Sequence, residues 1–139
     1  MSESPSSDGI HSGDGYAVAH LDDLGDGPGF RKIRGNLGVT AFGTNALVLP
    51  SGISTGWHYH DVQEELYFVH QGRIRMTFGN GDEQELGPGG LARVSPATHR
   101  MITSIGEGDA VYVVVGGSGG YVGRDGQVPE GKGGPGHGA

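Results

Sequence analysis

His58 and His60 flank Tyr59 in a short run with strand character, Trp57–His60. Side chains two apart on a strand point to the same face, so both imidazoles can converge on one ion. Glu65 stands a short turn later at the head of Glu65-Leu66-Tyr67-Phe68-Val69, where an antiparallel return brings its carboxylate beside the two rings. His99 follows Pro96-Ala97-Thr98 at the entry to another apolar run, distant in sequence but easily adjacent across a closed barrel. The expected ligand set is therefore His58, His60, Glu65 and His99, a nitrogen-and-oxygen site for one divalent transition metal. The chain has no cysteine, which excludes thiolate ligands, a thiol nucleophile and disulfides.

The residues around this set sort by strand parity. Glu64 is a rival to Glu65, but alternation turns it away from the face of Tyr67 and Val69. His70 shares the parity of Glu64 and is expected outside the cavity. Tyr67, Val69, Met76, Met101 and Thr103 are the expected cavity lining. Tyr67 stands out among them, because a buried phenol seeks a partner and can act as donor or acid beside a metal. Glu65 and Tyr67 are accordingly the candidate catalytic pair, with Glu65 able to leave the ion and serve as base. Two Gly-x-Ser-x-Gly stretches, Gly52–Gly56 and Gly116–Gly120, lack the helix that a nucleophile elbow needs and read as turns.

The elements that must position these side chains are short. Apolar runs at Val39–Phe42, Ala46–Leu49, Trp57–His60, Glu65–His70, Arg73–Phe78, Leu91–Val94, Arg100–Ser104 and Ala110–Val115 are punctuated by glycine and proline. Eight strands suit a barrel. Arg73–Phe78 alternates and leads into Gly79-Asn80-Gly81-Asp82, a tight-hairpin signal. No helix is expected. The class is all-β, a single-domain barrel spanning residues 16–122, with residues 1–15 and the Gly-rich residues 123–139 expected to be unstructured because they carry little that can bury apolar area.

Composition agrees with that reading and narrows the partners. Thirty glycines among 139 residues, against 34% apolar residues, favour short strands and tight turns over long helices. The net charge of -7 excludes a strongly basic surface for nucleic acid or anionic lipid, which leaves a small-molecule substrate as the expected partner. The N-terminus lacks the charged start and apolar stretch of a secretory signal, and no run has the length of a membrane span, so a cytoplasmic location is expected.

Gly52, His58-Tyr59-His60, Glu65 and Gly72 together resemble the first motif of the cupin superfamily, with Gly72 at the spacing that selects Glu65. Gly90, Pro96 and His99 resemble part of the second motif, with Pro96 and His99 only three apart and Thr103 in the place of the usual asparagine. The resemblance implies a double-stranded β-helix that binds one ion through three histidines and a glutamate, in a homodimer. It implies iron first among the metals, with manganese, nickel, zinc and copper as alternatives. The expected activity is an iron-dependent dioxygenase acting on a small chelating substrate. Its alternatives are a redox-neutral isomerase, epimerase or lyase on a sugar or oxo acid, and a non-catalytic module that binds a metal or small ligand.

Overall fold

The computed structural model describes residues 9–130. Among them the short runs form β1 (His11–Gly13), β2 (Tyr16–Val18), β3 (Gly29–Arg31), β4 (Gly43–Leu49), β5 (Tyr59–His60), β6 (Glu64–Gln71), β7 (Ile74–Phe78), β8 (Glu83–Leu86), β9 (Leu91–Val94), β10 (Arg100–Ser104), β11 (Ala110–Gly117) and β12 (Gly126–Gln127), with one short α-helix, α1 (Ile33–Leu37), and a 3-10 turn at Leu21–Leu24. The main sheet has the order β3-β4-β11-β6-β9 and the facing sheet the order β10-β7-β8. Every pairing is antiparallel. The fold is the expected all-β double-stranded β-helix.

Alternation does the positioning. Along β6 the buried residues are Glu65, Tyr67 and Val69, while Glu64, Leu66, Phe68 and His70 are exposed. Facing them, β7 buries Ile74 and Met76 and β10 buries Ile102, so the core lies between the two sheets. The β7–β8 hairpin closes as its sequence predicts, with Gly81 at φ +93 and Asp82 N–H donating to Asn80 Oδ1 at 2.9 Å. Gly72 ends β6 at φ +77, and a Cβ there would sit 2.6 Å from the carbonyl oxygen of Asp109, so only glycine lets these strands approach.

Several expectations move. Val39–Phe42 is not a strand; the strand begins at Gly43. Strand β8 was not expected because Glu83-Gln84-Glu85-Leu86 has no apolar alternation and owes its state to pairing with β7. Helix α1 was not expected either; it is one turn long and ends at Gly38 in the left-handed conformation. Strand pairing extends beyond residues 16–122. β1 pairs with β2, and β12 pairs with β5, registering Gly126 with His60 and Gln127 with Tyr59. Both ends are poor in apolar side chains, but ladder hydrogen bonds need only backbone. Residues 1–8 and 131–139 of the expected tails lie outside the described residues.

Candidate metal centre

Strand β5 and the head of β6 bring three of the four expected ligands together. His58, His60 and Glu65 are 1%, 2% and 1% exposed, and each offers a ligand atom within 4.8 Å of the others. The two rings lie edge to face with centroids 5.3 Å apart. His60 Nε2 is 3.3 Å and His58 Nε2 3.9 Å from Glu65 Oε1. His60 Nε2 is buried without a well-aligned hydrogen bond, an arrangement costly for a polar atom unless a ligand completes it. Two imidazoles and a carboxylate form the donor set of a facial triad, so these residues fit a divalent transition metal.

His99 is not the fourth member. Its ring is exposed and stacks on Tyr59, with centroids 4.6 Å apart and planes 13° from parallel. Arg100 takes the inward place instead. It lies directly across from His58, the two backbones exchanging both hydrogen bonds at 2.9 Å, and such a pair projects its side chains to one face. Met101 and Thr103 share the parity of His99 and are only half-buried, whereas Arg100, Ile102 and Ser104 face in. One residue of register on β10 therefore corrects all three expectations, because a shift of one exchanges the two faces of a strand.

The guanidinium of Arg100 is fully buried and fully engaged. Nη2 donates to Glu65 Oε1 at 2.9 Å, and Nη1 donates to the carbonyls of Thr98 at 2.6 Å and Pro96 at 3.1 Å. Tyr67 hydroxyl donates to the same Glu65 oxygen at 2.5 Å, and Gln63 Nε2 donates to the other at 3.2 Å. Gln63 was not anticipated; Gly116, paired with Glu65, makes room for it, since a Cβ there would meet Gln63 Cδ at 2.8 Å. Asp125 was not anticipated either. Its Oδ2 lies 3.6 Å from His60 Nδ1 and accepts the N–H groups of Val62 and Gln63.

These contacts set the charge states. Burial pushes the Glu65 carboxyl up, but hydrogen bonds from His58 and Tyr67 and the nearby His60 ring outweigh it and hold Glu65 well below the usual carboxylate range. Glu65 is therefore held as an anion, the form that ligates a cation. Burial and the neighbouring Glu65 charge push the Tyr67 phenol well above its ordinary value. It stays protonated and donates its hydrogen bond to Glu65. Burial lowers the pKa of His58, with Arg100 adding to the effect and Glu65 opposing it, so the ring is kept in the neutral, ligating form.

A family model of the cupin domain matches residues 46–116. The chain belongs to the cupin domain family. Among curated proteins none matches the sequence. Solved structures similar to this cupin include one of DMSP lyases, at 24% identity and a TM-score of 0.56, covering 64% of this chain and 44% of that one. Another is an uncharacterized conserved protein with a double-stranded β-helix domain from Klebsiella pneumoniae, at 19% identity and 0.58, covering 65% and 76%. A third is a sugar phosphate isomerase of the cupin superfamily from Silicibacter pomeroyi, at 25% identity and 0.53, covering 74% and 59%. The chain thus spans less than half the length of the DMSP lyase structure and somewhat over half that of the isomerase. No helix among the described residues is long and apolar enough to cross a membrane.

Proposed function

We propose that this cupin is an iron-dependent oxygenase acting on a small chelating organic substrate. The observation that carries the reading is the replacement of a fourth protein ligand by Arg100, which leaves His58, His60 and Glu65 as a two-histidine, one-carboxylate set. That donor set, with its remaining positions open, is characteristic of non-haem iron(II) oxygenases. The iron would supply binding of dioxygen and polarisation of the chelating groups. The chain's own residues do the rest. His58 and His60 would hold the ion through ring nitrogens, Arg100 and Gln63 fix the carboxylate, Tyr67 donates to Glu65, and burial of the whole group limits access of bulk water.

The test is anaerobic reconstitution with iron(II), then oxygen-uptake measurements over 1,3-diketones, catechol-like diols and thiol acids, with His58→Ala as control. Substrate-dependent uptake that the variant loses is the expected result. A second reading, redox-neutral isomerisation or elimination, is supported by the likeness to the sugar phosphate isomerase. It prevails if no class stimulates uptake and the zinc or nickel protein transforms a sugar phosphate or oxo acid without dioxygen.

A further inference from the structure

We propose that Asp125, carried on the C-terminal segment that closes over β5, is a positioning residue for His60 and makes retention of the ion depend on that segment. The inference rests on the reading of His58, His60 and Glu65 as a metal site. Asp125 lies outside the residues matched by the cupin domain model, 46–116.

The two nitrogens of His60 are divided between two carboxylates. Nε2 faces Glu65 Oε1 at 3.3 Å, and Nδ1 faces Asp125 Oδ2 at 3.6 Å. An imidazole that ligates through one nitrogen presents N–H at the other, and a carboxylate there fixes the ring and raises its basicity. Asp125 is held for that task. It is 8% exposed, and Oδ2 accepts the N–H of Val62 at 3.0 Å and of Gln63 at 2.7 Å, in the turn that joins His60 to Glu65.

The segment carrying Asp125 is itself clasped. Gly126 and Gln127 pair with His60 and Tyr59, Asp61 N–H donates to the Asp125 carbonyl at 3.3 Å, and Gln127 Nε2 donates to Asp61 Oδ2 at 3.0 Å. Arg124 turns the chain into place at φ +55, a conformation that L side chains rarely adopt. One side chain thus touches both arms of the site, the His60 ring and the turn leading to Glu65.

A purely structural role would need only an acceptor for the two N–H groups, which an asparagine carbonyl provides. Asp125→Asn in the full-length chain therefore isolates the charge, and Asp125→Ala removes charge and acceptor together. Three quantities are read: zinc affinity by competition with a chromophoric chelator, melting temperature without metal, and the nitrogen NMR signals of His60 without metal. Asp125→Asn is expected to melt as the wild type does while losing about 10–100-fold in zinc affinity, and Asp125→Ala to lose in both. In the metal-free wild type Nδ1 of His60 carries a proton; in Asp125→Asn that proton goes over to Nε2, where Glu65 accepts it. Unchanged zinc affinity in Asp125→Asn overturns the proposal. So does a bare Nδ1 in the wild type, accepting instead from Gln63 Nε2 at 3.5 Å. If the wild type binds no zinc, the metal-site reading fails and the position of the His60 proton alone decides the role of Asp125.

Discussion

Arg100 Nη2 and Glu65 Oε1 lie 2.9 Å apart with neither side chain exposed to solvent. A buried guanidinium thus shares one carboxylate with two histidines, in a site whose donors suit a cation. An ion bound there would share Glu65 with a fixed positive charge, and the same charge holds Glu65 in place before any ion arrives.

Removing that charge separates the two roles. Arg100→Met leaves Glu65 buried without its cation, and the metal-free protein should lose about 3–5 kcal/mol of stability, the usual cost of breaking a buried pair from one side. A divalent ion should recover much of the loss, since binding to the folded state alone stabilises it. Urea unfolding with and without zinc measures both. A metal-free variant as stable as the wild type would show that the pair contributes nothing.

His60→Ala should abolish stoichiometric metal binding, because no neighbouring group among the described residues replaces its nitrogen in the cluster. His99→Ala should leave metal content as in the wild type, since that ring stacks on Tyr59 outside the cluster. Elemental analysis of both variants checks this, and metal loss on changing His99 would restore it as a ligand.

Tyr67→Phe removes one donor from Glu65 Oε1 while leaving Arg100 and Gln63 in place. Loss of a hydrogen bond to a charged group costs about 1.5–3 kcal/mol. Metal should still bind, whereas turnover should fall chiefly in kcat. Chemical denaturation and steady-state kinetics read the two effects.

The metal-free protein should lose stability as pH falls. The folded-state pKa of His58 lies below its ordinary 6.5, so the unfolded chain binds the proton more readily and stability declines once pH drops below that value. Glu65 lies below its ordinary 4.5, so its contribution is complete above that value and is lost on further acidification. Melting temperature should therefore decline from pH 7 towards 5 and again below about 4.5, and His58→Gln should flatten the first decline. An equally steep first decline in that variant would assign it to other groups.

The sequence by itself determined the fold class and three members of the site. Alternation along Glu64–Gln71 puts Glu65, Tyr67 and Val69 on one face, and the spacing of His58 and His60 puts both rings on another that meets it, because strand periodicity is a local property. What surrounds them was decided only by the tertiary structure. The register of β10 against β7 turns Arg100 inward and His99 out, and the loop at Pro96–His99 gives no local signal of which of the two adjacent residues faces the core. Asp125 and Gln63 reach the site through pairing of β12 with β5 and the space left at Gly116. Those contacts join residues remote in sequence, and backbone pairing of a glycine-rich segment leaves no pattern of apolar side chains by which to foresee it.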